Sequence, residues 1–172
     1  MPHPIINIAD VEPQPLPPSY SATGAAAERY APRIAWLSPQ LGAQKLGYNI
    51  TALAPGKRAF PFHCHRINEE MFFILEGNGE VRIGDERHPI RAGDIIACPP
   101  GSSESAHQIS NTGTVELRYL AVSTKQSPEV CEYPDSGKYA VMADPLASVD
   151  GKSPGFRVVG RAGESVDYWE GE

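Results

Sequence analysis

The stretch FPFHCHRINEEMFFILEG, Phe60 to Gly77, sets two histidines two positions apart, then two adjacent glutamates, then an apolar run closed by glycine. Residues i and i+2 of a β-strand project to the same face, so His63 and His65 point one way and Cys64 the other. Two neutral imidazoles on one face can ligate a single metal ion. Alternation alone does not say whether Glu69 or Glu70 joins them. Phe72 and Ile74 on one face are as apolar as Phe73 and Leu75 on the other.

Outward from this stretch, short strand-like runs recur: IAWLS, QKLGYNITAL, FPFHCH, EMFFILEG, GEVRIGD, DIIACPP and VELRYLAVS. Between them lie APGK, GNG, RAGD, PPGSS and NTGT, each with the glycine or proline that a turn needs. EGNGEV reads as a hairpin, because Asn78-Gly79 readily takes positive φ. AAAERY allows one helical turn before Pro32 stops it, and no other segment sustains a helical period. Many short strands with regular breaks predict an all-β antiparallel sandwich or barrel.

Three regions follow. Residues 1–33 are rich in proline and small residues and read as an extended N-terminal arm. The barrel occupies residues 34–127. Residues 128–172 have a weaker pattern but keep apolar and aromatic side chains, ending with Tyr168 and Trp169. That composition predicts an appendage that packs on the barrel or on a partner subunit.

At 172 residues the chain suits one domain with a sizeable core. Its 15 basic and 21 acidic residues give a net charge of -6, and no block of Lys and Arg stands out. This argues against nucleic acid or an anionic membrane as partner. Three widely spaced cysteines, Cys64, Cys98 and Cys131, fit a reducing compartment. The opening MPHPIINIAD has no basic region followed by a long apolar one, and MFFIL is too short to span a bilayer. A cytoplasmic protein is expected.

The histidine stretch closely resembles the first signature of the cupin superfamily, G-x5-H-x-H-x3,4-E-x6-G, with Gly56, His63, His65, Glu70 and Gly77 in its places. Glu70 satisfies the spacing on both sides, whereas Glu69 leaves one residue too many before Gly77. The second cupin signature, G-x5-P-x-G-x2-H-x3-N, is matched in order by Gly93, Pro99, Gly101, His107 and Asn111. Two spacings depart from the pattern. Six residues separate Gly56 from His63, and five separate Gly101 from His107, which lengthens the loop SSESA beside the last histidine.

The resemblance implies a double-stranded β-helix, or jelly-roll barrel, holding one divalent transition-metal ion on His63, His65, Glu70 and His107. Three imidazoles and one carboxylate suit Mn, Fe, Co, Ni or Zn. Cys64 faces away by alternation and reads as packing, like Cys98. The resemblance also implies activities from sugar and sugar-phosphate isomerisation to dioxygenation and decarboxylation, besides non-catalytic binding of small ligands. It further implies frequent dimerisation, and a homodimer is expected from the aromatic-bearing flanks. The substrate is expected to be a small polar molecule.

A metal-dependent sugar or sugar-phosphate isomerase is the first expectation. A mononuclear iron dioxygenase and a non-catalytic binder are the alternatives. Beyond the ligands, Glu69 and Glu104 are candidate general bases. Tyr48, Arg58 and Arg118 are candidate substrate-binding groups, the arginines through charge-assisted hydrogen bonds. Asn111 is expected to cap the turn SNTG.

Overall fold

The computed structural model describes residues 4–143 and 155–172. Among these residues the alternating runs become strands in chain order. They are β1 (Gln14–Pro15), β2 (Arg33–Trp36), β3 (Leu46–Leu53), β4 (Cys64–His65), β5 (Glu70–Glu76), β6 (Asn78–Ile83) and β7 (Glu86–Arg91). There follow β8 (Ile95–Cys98), β9 (His107–Ser110), β10 (Leu117–Thr124), β11 (Glu129–Tyr133), β12 (Lys138–Ala143) and β13 (Phe156–Arg161). The longest helix, α1 (Ser38–Leu41), is a single turn that ends at Gly42 in the left-handed region. No helix among the described residues is long and apolar enough to cross a membrane.

The strands form a six-stranded sheet in the order β1-β2-β3-β10-β5-β8, a four-stranded sheet β13-β12-β11-β4 and a three-stranded sheet β7-β6-β9. Alternation decides what each strand buries. In β5, Phe72 and Ile74 point inward; in β10, Leu117, Tyr119 and Ala121 do so. They meet Val81, Ile90 and Ile109 of the three-stranded sheet, which closes one core between the two layers. Each large side chain fully buried there stabilises the fold by roughly 1.5–3 kcal/mol.

The four- and three-stranded sheets are joined edge to edge by one bridge. His63 and His107 exchange both backbone hydrogen bonds, at 3.2 and 2.7 Å. These two sheets thus act as one layer opposite the six-stranded sheet, with His63, His65 and His107 side by side at the seam. The N-terminal arm lies on the outer face of the six-stranded sheet, where Ile6 and Val11 pack against Ala35, Leu37 and Ile50.

Two sequence expectations change. Asn78-Gly79 does not form a hairpin turn: both residues lie in β6, and the positive φ of 80° belongs to Gly77. β5 and β6 belong to different sheets, so the chain crosses between layers there instead of folding back. Gly77 is required at that crossing. A Cβ would sit 2.3 Å from the Glu116 carbonyl oxygen. ERHPIR and HQIS, whose patterns are too polar to read as strands, become β7 and β9. The segment from Pro128 is also more than a covering: β11 pairs directly with β4, opposing Cys131 to His65.

Candidate metal centre

Each candidate ligand is placed by a strand. β4 carries His65, and the bridge to β9 sets His63 opposite His107. Glu70 opens β5 on the same face as Phe72 and Ile74, pointing into the barrel. Strand position therefore separates the two glutamates: Glu70 projects inward, and Glu69 is exposed.

One oxygen gathers the imidazoles. Glu70 Oε2 lies 2.9 Å from His107 Nε2, 3.3 Å from His65 Nε2 and 3.9 Å from His63 Nε2. Ligand atoms of His63, Glu70 and His107 all lie within 4.8 Å of one another. The outer nitrogens face acceptors: His63 Nδ1 is 2.8 Å from the Pro61 carbonyl, and His107 Nδ1 is 3.4 Å from the Ser105 carbonyl. With the proton on Nδ1, the Nε2 lone pairs point to the common centre. His65 Nε2 is buried and has no hydrogen-bond partner. A buried, unpartnered ring nitrogen aimed at a shared carboxylate fits a metal ligand, as does the mixed imidazole–carboxylate donor set.

The electrostatics differ between the imidazoles. Burial, reinforced by the neighbouring His107, lowers the His63 pKa to about 4, which keeps it neutral. Burial also works to lower His65, but its contacts with Cys131 and Glu70 outweigh this and raise it to about 10. For Glu70 burial pushes upward, yet the hydrogen bond from His107 and the neighbouring His65 imidazole hold the carboxyl well below the usual range. A bound cation would take over that stabilising role by displacing the His65 proton.

Behind His65 stands a group that sequence reasoning missed. Its Nδ1 is 3.3 Å from Cys131 Sγ and 3.5 Å from Glu129 Oε2. These three side chains also lie within ligand distance of one another. Glu129, however, is already engaged, accepting from the Asn68 side chain and from the backbone N–H groups of Ile67, Asn68 and Val130. Glu129 and Cys131 therefore read as the groups that orient His65. No local signal marks them, because strand pairing alone brings them to this ligand.

A cavity of about 60 Å³ lies against the ligands, lined by Asn49, Thr51, Phe60, Phe72, Gln108 and Tyr119 among others. Asn49 and Thr51 alternate with apolar residues in β3, a polar i, i+2 pair that the sequence displays. Burial keeps the Tyr119 phenol protonated far above its ordinary range.

The other sequence candidates lie elsewhere. Tyr48 points to the outer face of β3, into the cluster under the N-terminal arm. Arg58 sits in backbone bridges to Tyr30 and Ser110. Arg118 faces outward from β10, donating to the Val11 carbonyl and lying 4.0 Å from Glu76. Glu104 accepts from Ser102 on a 3-10 turn (Ser103–Ser105), into which the lengthened SSESA loop folds, and lines a separate surface depression with Arg82 and His88. None of these, nor Glu69, lines the cavity beside the ligands.

Two opposed β-layers with three inward imidazoles and one carboxylate at their seam define a jelly-roll barrel with a candidate transition-metal site inside. Residues 49–123 match the model of the cupin domain family, so this segment is similar to cupin domains. An uncharacterized protein of Methanocaldococcus jannaschii is 35% identical over 72 residues, 42% of this chain and 55% of that one. The oxalate-binding protein of Thermotoga maritima is 40% identical over 70 residues, 41% of this chain and 54% of that one. The chain thus spans about half the length of these relatives. The crystal structure of a cupin sugar phosphate isomerase from Silicibacter pomeroyi superposes with a TM-score of 0.75 at 22% identity, covering 94% of this chain and 95% of that one. Likeness at that identity shows the fold.

Proposed function

We propose that this protein is a metal-dependent enzyme acting on a small polyhydroxy compound, and that its reaction is isomerisation of a sugar or sugar phosphate. The observation that carries the reading is the convergence of His63, His65 and His107 on Glu70 beside a cavity with polar side chains on its wall. A divalent ion of the Mn, Fe, Co, Ni or Zn group, held by these four residues, would supply Lewis acidity toward a carbonyl and its neighbouring hydroxyl. Asn49, Thr51 and Gln108 are the groups able to hydrogen-bond substrate hydroxyls. Phe60 and Phe72 add apolar wall to the cavity. Glu69 and Glu104 stand outside the cavity, and Glu70 is taken up as the anionic ligand, so none of the three is a free general base within the cavity.

The test is anaerobic turnover of a sugar and sugar-phosphate panel by metal-reconstituted protein, run in deuterated water. Turnover without oxygen, with deuterium entering the carbon next to the carbonyl, supports proton-transfer isomerisation. Oxygen consumption coupled strictly to product formation overturns it. That second outcome belongs to the mononuclear iron dioxygenase, which one observation favours: Phe72, Ile109 and Ala121 give the small inner cavity an apolar side suited to a diatomic gas. Binding without turnover would point to a non-catalytic binder.

A further inference from the structure

We propose that the C-terminal sheet builds an anion-binding cleft at the mouth of the metal cavity, which holds the charged end of an elongated substrate. The proposal rests on the isomerase reading and adds to it the class of substrate: a small polyol with a terminal phosphate or carboxylate.

The register establishes the geometry. Directly opposed residues of an antiparallel pair share a face. Cys131 opposes His65 across β4 and β11, Ala140 opposes Cys131 across β11 and β12, and Val159 opposes Ala140 across β12 and β13. The face of this sheet that carries the ligand His65 is therefore the face that carries Tyr133, Lys138 and Arg157, each an even number of residues from a member of that row. Tyr133 confirms it: its ring lies 6.1 Å from that of His63, with 24° between the planes.

A cleft of about 650 Å³ opens over this face, lined by Tyr20, Trp36, Phe60, Tyr133, Lys138 and Arg157 among others. Phe60 is common to the linings of the cleft and the inner cavity. The described lining holds two cations and no carboxylate. Both cations lie near aromatic rings, Lys138 Nζ at 5.7 Å from Tyr133 and the Arg157 guanidinium at 5.5 Å from Tyr20. In a chain of net charge -6, a cleft whose ionised groups among the described residues are both basic selects for an anion.

The occupant's length follows from strand spacing. From β4 to β12 is two inter-strand steps, roughly 10 Å. A two-carbon diacid does not bridge that distance, whereas a sugar phosphate or a sugar acid does. Its hydroxylated end would reach the ligand cluster, and the rings of Phe60 and Tyr133 would flank its carbon chain. Phosphate and carboxylate present the same oxyanion chemistry to Lys138 and Arg157.

The test is equilibrium binding to zinc-loaded protein. The probes are D-ribose 5-phosphate and D-glucuronate, with D-ribose and D-glucose as their neutral counterparts. In the wild type at least one anionic probe should bind roughly tenfold or more tightly than its counterpart, as hydrogen bonds to charged groups do. Which anion gains tells phosphate from carboxylate. Lys138→Ala and Arg157→Ala should each remove most of that preference, leaving zinc content and neutral-sugar binding unchanged. Lys138→Met, which keeps the packing of the stem, should behave the same way. Arg87→Ala, on the distant β7, should keep the preference. Equal binding of charged and neutral probes overturns the proposal, as does a preference that survives in both variants. If the preference is present and Lys138-dependent but no probe turns over, the anion cleft stands and the isomerase reading fails.

Discussion

Replacing Glu129 by Gln keeps the side-chain volume and removes one negative charge 3.5 Å from His65 Nδ1. In the native protein both carboxylate oxygens are engaged. Oε2 accepts from the Asn68 backbone and side-chain amides, and Oε1 accepts from the backbone N–H groups of Ile67 and Val130. A glutamine offers one oxygen and turns an amide donor toward donors on its other side. The first consequence is for the ligand. Loss of an outer-sphere partner of a metal-bound histidine costs about 10–100-fold in metal affinity, or about 1.4–2.7 kcal/mol. The second is for the fold, because each buried N–H left without an acceptor costs about 1–3 kcal/mol. Competition with a chromophoric chelator measures the first, and thermal melting of the metal-free protein measures the second. Both should fall in Glu129→Gln. Cys131→Ala, which removes the other neighbour of Nδ1, should keep most of the metal affinity. Unchanged affinity in a Glu129→Gln protein whose melting temperature drops would refute the reasoning and leave Glu129 as a backbone support alone.

Glu70→Gln should lower metal affinity by at least the same 10–100-fold in a chelator titration, whereas the exposed Glu69→Gln should match the wild type. Asn111 is 1% exposed, donates to the Leu53 and Val115 carbonyls at 2.7 and 2.8 Å, and accepts from the Gly113 N–H at 2.9 Å. Asn111→Ala should therefore destabilise the fold by about 2–4 kcal/mol in urea unfolding, without changing metal stoichiometry in the folded fraction. Burial pushes the Cys98 thiol up to about 12. A raised thiol pKa favours the folded state below the unfolded value of 9.0 and loses that contribution as pH climbs past it. Cys98 should accordingly resist iodoacetamide at pH 8 in folded protein and react once urea unfolds it. We propose a homodimer, supported by the exposed Tyr168 and Trp169 and by the apolar Phe156 and Val158 of the edge strand β13. Light scattering should give twice the chain mass at micromolar concentration.

Strand alternation is local, so the sequence alone determined that His63 and His65 share a face and that Cys64 opposes them. The punctuating glycines and prolines likewise made an all-β fold legible, and motif spacing selected Glu70 over Glu69. The spacing does not say why; the inward row of Glu70, Phe72 and Ile74 does. Alternation relates neighbours along one strand but is silent on which face the core takes and which strand lies alongside. Those choices are made by burial summed over both layers, between segments far apart in the chain. For that reason the sequence candidates Tyr48, Arg58 and Arg118 do not line the cavity, while Asn49 and Thr51, beside Tyr48 in the same strand, do. The same cause hid Glu129, Cys131 and Tyr133. Their segment has little periodicity of its own, and only its pairing with β4 sets it against a histidine more than sixty residues earlier in the chain.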